Sequence, residues 1–198
     1  MLDPEEQDAS VRPRIVLLTG APGSGKSTLG RELSAALRIP FIARDDVRGG
    51  LTMTAGAWRD SLDQLPASDT AVDAFLDIVE VSLRRGVSCI AEYVFRSHRP
   101  GDLERVRAAG DAVVIITRCS DTRTRLIERN RTDRLIALPG VLRAAGASSV
   151  AEHTAAMVDR MRTVEHEMIT QFEVPTLTVD TTDRYDPGLD AIVDFVVR

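Results

Sequence analysis

A strand-like run, a glycine-rich turn and an amphipathic segment, in that order, constrain this 198-residue chain more than any other feature. Residues 14–19, RIVLLT, have the composition of a buried strand. Residues 26–37, KSTLGRELSAAL, repeat leucine every four positions, which is typical of a helix that packs on one face. The connecting residues fit the pattern G-x-x-x-x-G-K-S from Gly20 onward. In this strand–loop–helix context the pattern predicts a loop whose backbone amides cradle a phosphate group.

The lysine of this loop is unusual for the chain. Lysine and arginine total 25 residues, and Lys26 is the single lysine among them. A compact ammonium can approach the β- and γ-phosphate oxygens as a point charge, which the wide guanidinium of arginine does less well. We therefore predict that Lys26 is catalytic and that the Ser27 hydroxyl binds Mg²⁺. The predicted ATP-binding loop comprises Gly20, Ala21, Pro22, Gly23, Ser24, Gly25, Lys26, Ser27 and Thr28.

Alternation of apolar runs with helical patterns predicts the fold. Strands are expected at 14–19, 40–44, 87–94, 112–118 and 175–180, and helices at 26–37, 53–66, 69–86, 101–110, 120–134, 150–172 and 187–198. Apolar strands separated by helices indicate an α/β fold with a five-stranded parallel sheet covered on both faces. We expect residues 1–12 to be a flexible tail and 13–198 one domain, with a lid around 123–149. Both cysteines, Cys89 and Cys119, lie in apolar runs and are expected to be small core residues.

Carboxylates follow the second and third predicted strands, where ligands of such sheets bind. Asp45 can accept the proton of an attacking hydroxyl, and Arg48 can steady that carboxylate or the substrate. Asp46 is a weaker candidate that can instead cap a helix. Glu92 can bind the magnesium shell through water, contact the acceptor, or simply be an exposed strand end.

An arginine-rich segment follows the fourth predicted strand. In RTRLIERNRTDR, Arg125 and Arg129 are four residues apart, which places them on one face of a helix. Arginines of a mobile lid can neutralise charge on a transferring phosphoryl group. We predict this role for Arg129 and, in the turn that follows, for Arg134. The alternative is a solvated helix with acidic ion partners.

Together, GAPGSGKST, RDDVR, AEYVF and ERNRTDR resemble the P-loop hydroxyl kinases, which include the polynucleotide kinase, zeta-toxin and chloramphenicol phosphotransferase families, with AAA-type ATP binding. The resemblance covers residues 14–135 and the last strand, and implies a three-layer P-loop NTPase fold of the nucleoside-kinase type. It implies that Asp45 is the general base and that Arg48 contacts substrate or phosphate. It also implies that Arg129 and Arg134 grip ATP and that Thr181 lies near adenine. Residues 50–70, where the acceptor pocket is expected, match no motif.

Charge and composition narrow the acceptor. A net charge of −5 and a pI near 5.3 argue against a broad nucleic-acid surface. We therefore expect a small-molecule acceptor such as a nucleoside, sugar or antibiotic hydroxyl, with a 5′-hydroxyl nucleic-acid end left open but disfavoured. No apolar run approaches the roughly 20 residues of a membrane span. We expect a cytoplasmic protein with no membrane partner.

Three alternatives remain open. A nucleoside monophosphate kinase would need arginines for a second phosphate and no base, and Asp45 would repel that phosphate. An ATP-binding regulatory or RNA-processing partner would turn over little ATP. A GTPase is suggested only by NRTD (130–133) and DVRG (46–49), and both are misplaced along the chain.

Overall fold

The computed structural model describes residues 12–58 and 62–198. Within these residues the strands are β1 (Arg14–Gly20), β2 (Phe41–Ala43), β3 (Cys89–Glu92), β4 (Asp111–Arg118) and β5 (Thr176–Asp180). The helices are α1 (Lys26–Leu37), α2 (Arg44–Thr54), α3 (Ser68–Arg84), α4 (Gly101–Ala109), α5 (Thr122–Thr132), α6 (Pro139–Ala144), α7 (Val150–Glu167) and α8 (Leu189–Val197). The predicted tail, apart from Arg12, lies outside the described residues.

The described strands form one parallel sheet in the order β2-β3-β1-β4-β5, which confirms the predicted five-stranded α/β architecture. The central strand β1 pairs with β3 on one side and with β4 on the other. All strand carboxyl ends therefore meet at one edge. At that edge Leu18 is in register with Glu92, and Gly20 with Thr117. The loop after β1 is thereby flanked by the ends of both neighbouring strands.

Alternate side chains of β1 enter two different cores, because successive residues of a strand point to opposite faces. Ile15 and Leu17 join the core that α3 and α4 cover. Val16 and Leu18 join the core that α1 and α8 cover. This arrangement gives the predicted three layers, and it holds the loop after β1 on a strand buried from both sides.

A third, much smaller cluster lies away from the sheet. Ala57, Leu62 and Val141 are its buried members, with Leu135 and Leu138 packed against them. This satellite cluster joins the segment after α2 to α6 and the turn before it. The middle of the predicted lid is therefore packed against Ala57, Leu62 and Leu65.

The predicted helix at 53–66 is wrong. Helix α2 begins directly after β2 and ends at Thr54, and residues 55–58 and 62–67 are turns, bends or irregular structure. Near the end of α2, the Thr52 hydroxyl donates to the Arg48 carbonyl one turn earlier. Gly56, just after the helix, then turns the chain with φ +100°. Residues 59–61 of that prediction lie outside the described residues.

Two further predicted elements differ in length from the observed ones. Helix α7 ends at Glu167 rather than 172, because the next residues pair with the segment after β3: Ser97 N–H donates to the Glu167 carbonyl, and Ile169 N–H donates to Phe95. Strand β3 covers 89–92 rather than 87–94. Cys89 is buried as expected, whereas Cys119 is half-buried just beyond β4. No helix among the described residues has the length and apolarity needed to cross a bilayer.

Candidate active site

The loop between β1 and α1 has a backbone that only glycine adopts readily. Gly23 and Gly25 have φ of +81° and +79°, in the left-handed region. A Cβ at Gly23 would run into the Thr122 carbonyl. Helix α1 begins after Gly25 without a side-chain cap and without an acidic residue in its first turn. Its first amides are therefore open to an anion at the positive end of the helix.

Side chains hold this loop from behind. The Ser24 and Thr117 hydroxyls are hydrogen-bonded at 2.7 Å and are both buried. The Thr181 hydroxyl lies 2.8 Å from the Ser24 carbonyl and 3.1 Å from the Arg118 carbonyl, so it can donate to either. Thr181 is therefore placed beneath the loop as a support. Its predicted contact with the nucleotide stays a prediction.

Lys26 lies folded over its own loop. It is 8% exposed, and its Nζ donates to the Ala21 carbonyl at 2.8 Å. Burial lowers the pKa of Lys26, and the charge of Arg129 lowers it further, whereas Glu92 and Asp45 act in the opposite direction. The two carboxylates therefore surround the lysine that the sequence placed at the phosphates.

Ser27 and Glu92 meet beside the lysine. The Ser27 hydroxyl donates to Glu92 Oε1 at 3.0 Å. Glu92 Oε2 is buried and has no hydrogen-bond partner among the described residues. Burial raises the pKa of Glu92, while Lys26 and the Ser27 hydrogen bond lower it. A hydroxyl beside an unsatisfied carboxylate oxygen fits a hydrated Mg²⁺, which binds oxygen ligands and retains several waters.

No group of three or more His, Cys, Asp and Glu able to hold a metal occurs within 12–58 and 62–198. At the candidate site, the Ser27 hydroxyl and water near Glu92 are the groups that would hold Mg²⁺.

Asp45 lies in the first turn of α2 and faces the same place. Its side chain is 67% exposed, and its Oδ1 lies 3.0 Å from Arg44 Nη1. It interacts electrostatically with both Lys26 and Glu92. The neighbouring Asp46 is also exposed and in the first turn, but α2 has no side-chain cap, so the predicted capping role is not observed. The structure thus brings together Lys26, Ser27, Asp45 and Glu92.

The arginines of α5 differ in their distance from the loop. Arg129 lies close enough to Lys26 to lower the pKa of the lysine, and its Nε and Nη2 are 3.4 Å from Asn130 Oδ1. Arg125 donates to the Thr182 carbonyl and lies beside Gly25. Arg134 is exposed in the turn after α5, without a side-chain hydrogen bond or ion pair to the described residues. The structure therefore brings Arg129 close to Lys26, and the predicted contact of Arg134 with ATP stays a prediction.

Asn130, the first residue of the NRTD segment, lies in the protein interior. Its side chain is fully buried, and its Nδ2 donates to the Thr154 hydroxyl at 3.3 Å. The residue therefore fixes α5 against α7 and does not face a ligand.

Arg48, which the sequence predicts to contact substrate or phosphate, lies among further basic side chains. Burial lowers the pKa of Arg48, and the charges of Arg44 and Arg160 lower it further, while Asp45 opposes them. The pKa of His153 is lowered as well, by burial and by the charges of Arg160 and Arg48. Arg44 could have been found from its position beside Asp45, but Arg160 comes from α7 and carries no local signal.

Known proteins are similar to this chain in fold. The family model described as AAA domain matches residues 15–139. A candidate kinase from Chloroflexus aurantiacus is 23% identical with a TM-score of 0.63, covering 94% of this chain and 97% of that one. A sugar kinase from Janibacter sp. HTCC2649 is 12% identical with a TM-score of 0.56, covering 93% and 95%.

A gluconokinase from Sinorhizobium meliloti 1021 is 18% identical with a TM-score of 0.51, covering 94% of this chain and 90% of that one. No curated protein is significantly similar in sequence to this chain. At these identities the structural similarity establishes the P-loop NTPase fold and leaves the acceptor to be argued from the site.

Proposed function

Because this chain belongs to the AAA domain family, we propose that it is an ATP- and Mg²⁺-dependent kinase that phosphorylates a hydroxyl group of a small molecule. One observation carries the proposal: the exposed carboxylate of Asp45 lies close enough to Lys26 of the phosphate-binding loop to act on its pKa. A nucleotide-binding loop alone needs no such group. A hydroxyl acceptor does need one, because its proton must leave during the transfer.

The loop and Lys26 bind the donor. On binding, the β- and γ-phosphates replace the Ala21 carbonyl as partners of the ammonium. Ser27, with water near Glu92, would hold Mg²⁺, which supplies charge neutralisation between the β- and γ-phosphates. Arg129 reaches the same place from α5 and stabilises charge on the transferring group.

Asp45 then takes part in the chemical step. The acceptor oxygen attacks the γ-phosphorus, and a new P–O bond forms as the bond to the β,γ-bridging oxygen breaks. The acceptor proton passes to the Asp45 carboxylate, and ADP leaves with the bridging oxygen. Arg48, half-buried one turn along α2, holds the acceptor beside the carboxylate.

The half-buried Cys119 and buried Cys89 are free thiols, which suits the cytoplasm that we propose as the location of the protein.

A second candidate, a nucleoside monophosphate kinase, is favoured by the basic side chains around Asp45. Such an enzyme transfers to a phosphate oxyanion, which has no proton to lose. Asp45 would then be unnecessary, and its charge would oppose the acceptor. Replacing Asp45 with Asn therefore distinguishes the two functions, because only transfer to a hydroxyl should depend on this carboxylate.

The test is transfer of labelled γ-phosphate from ATP to a panel of nucleosides, sugars, sugar acids, hydroxyl-bearing antibiotics, nucleoside monophosphates and 5′-hydroxyl oligonucleotides. Asp45→Asn should lower transfer to a hydroxyl by about 10²–10⁴-fold with ATP binding retained. Asp46→Asn is the matched control, since this carboxylate lies in the same turn, and it should stay active. Label on monophosphates that survives Asp45→Asn would establish the second candidate instead. ATP binding without any label would favour a regulatory nucleotide-binding protein.

A further inference from the structure

A basic cleft lies next to Asp45, between the start of α3 and the segment after β3. It has about 200 Å³ of empty space, including the part open to solvent. The polar side chains that line it and matter here are Arg44, Asp69, Arg96, His98 and Arg99. Three arginines on one small cleft require either internal carboxylates or a bound anion, because unpaired cations close together repel one another.

Among the described residues, all three have a carboxylate within 4.0 Å, but only Arg99 donates hydrogen bonds to one. Arg99 donates to Asp73 at 2.6 Å and to Asp102 at 2.9 Å, and it lies 3.4 Å from Asp69. Its charge is therefore satisfied within the fold. Arg99 anchors α3 to α4 and is a structural element of the cleft wall.

Arg44 and Arg96 retain unsatisfied donors. Arg44 Nη1 and Arg96 Nε are buried, and neither has a hydrogen-bond partner in the described part of the chain. The Arg44 side chain is 13% exposed, and that of Arg96 is 24% exposed. A buried donor without an acceptor destabilises a fold, because it has lost its hydrogen bonds to water. An acceptor group bound in this cleft would supply the missing hydrogen bonds.

The nearby carboxylates do not fill that role. Asp45 Oδ1 lies 3.0 Å from Arg44 Nη1, but it forms an ion pair without hydrogen-bond geometry. Glu167 Oε2 lies 3.6 Å from Arg96 Nη1 and 3.7 Å from His98 Nδ1, which is too long for hydrogen bonds. Arg44 Nη1 therefore keeps an ion pair but has no acceptor in hydrogen-bond geometry, and Arg96 Nε has no hydrogen-bond acceptor among the described residues.

The position of Arg44 links this cleft to the chemistry. Arg44 Nη1 lies 3.0 Å from Asp45 Oδ1, so an anion that shared Arg44 with Asp45 would have the guanidinium between the two negative charges, which offsets their repulsion. A small molecule can therefore place an anionic group on the arginines and a hydroxyl at Asp45 at the same time. Planar guanidinium groups bind carboxylate and phosphate oxygens well.

We propose that the cleft of Arg44 and Arg96 binds a carboxylate or phosphate of the acceptor, so that the substrate is an anionic hydroxyl compound such as a sugar acid or a sugar phosphate. This inference rests on the proposed function and names its substrate class. The phosphate of such an acceptor is held away from the reacting centre and is not itself the nucleophile.

The experiment uses matched acceptor pairs that differ in one group. D-Gluconate with D-glucitol tests a carboxylate, and glycerol 3-phosphate with glycerol tests a phosphate. Transfer from ATP gives kcat/KM, and calorimetry with ADP filling the donor loop gives the Kd of each compound and of inorganic phosphate. In the wild type, at least one anionic member should exceed its neutral partner about tenfold in both measurements.

Two variants separate anion binding from a structural role. Arg96→Gln should weaken binding of the anionic member about tenfold, through KM, and leave the neutral member unchanged. Glu167→Gln removes the same long ion pair but not the guanidinium, so binding of the anion should be unchanged or tighter. Equal losses in both variants would show that Arg96 acts only by holding the end of α7, and would overturn the proposal.

The proposed function and this inference can fail separately. Transfer to neutral acceptors as efficiently as to anionic ones keeps the kinase and removes the anion site. Anion binding that depends on Arg96, without transfer to any acceptor, keeps the site and removes the kinase. Kd values that are the same for neutral and anionic members overturn the inference whatever the activity.

Discussion

The donor side and the acceptor side of the candidate active site, at the ends of β1 and β3, are built in different ways. The donor side is made of backbone: a glycine loop with left-handed residues, supported by buried hydrogen bonds from Thr117 and Thr181. The acceptor side is made of long side chains, and Arg44 and Arg96 have unsatisfied donors there. A backbone cradle fits any nucleoside triphosphate, whereas placed charges select one class of acceptor.

The two sides also differ in the apolar packing beneath them. The donor loop grows out of a strand that is buried in both main cores. On the acceptor side, Ala57, Leu62 and Leu65 pack with α6 in the satellite cluster, whose buried members are Ala57, Leu62 and Val141. Regions with few buried apolar contacts open at low free energy. We therefore expect the acceptor side to adjust to its ligand while the donor side stays fixed.

The largest expected effect is on the donor side. Lys26→Ala should lower phosphoryl transfer by about 10²–10³-fold or more, since it removes a preorganised charge from the γ-phosphate. Lys26→Arg is the informative companion, because it keeps the charge but changes the shape. If the donor side is a shape-specific cradle, steady-state kinetics will show Lys26→Arg nearly as impaired as Lys26→Ala. A fully active Lys26→Arg would mean that only charge matters there, and the comparison would fail.

The difference between a backbone loop and side chains from distant segments also decides what the sequence can predict. The donor loop could be predicted because its features fall on consecutive residues: glycines for the turn, Lys26, and Ser27 at the start of α1. The acceptor side could not be predicted, because Arg96 and Glu167 come together through the pairing of segments that are distant in sequence. The helix misplaced to 53–66 has the same origin, since the start of α2 depends on β2 ending at Ala43.

A glycine substitution made on each side gives the second prediction. Gly23→Ala should lower the free energy of unfolding by about 1–3 kcal/mol, because φ is +81° and the new Cβ would meet the Thr122 carbonyl. Gly50→Ala, inside α2 with nothing within 4 Å of the new Cβ, should instead raise it by about 0.5–1 kcal/mol. Denaturant unfolding measures both. A stable Gly23→Ala, or two changes of the same sign, would mean that the donor backbone is no more constrained than the acceptor side.

The smallest expected effect concerns pH and the acceptor side. Burial, Arg160 and Arg48 lower the pKa of His153 below 6.5, its ordinary value, so the folded protein favours the neutral ring. The unfolded chain then binds more protons than the folded one just below pH 6.5, and the free energy of unfolding falls as pH decreases through that window. Above pH 6.5 the ring is mostly neutral in both states, so the free energy of unfolding is no longer lowered by His153.

His153→Gln should therefore flatten the dependence of unfolding free energy on pH between 5 and 6.5, where one residue can contribute at most about 1.4 kcal/mol per pH unit. His166→Gln is the control, because His166 is exposed near the end of the same helix. Identical slopes for His153→Gln and the wild type would mean that the ring lies outside the field of these arginines, and that their charge is not concentrated on the acceptor side.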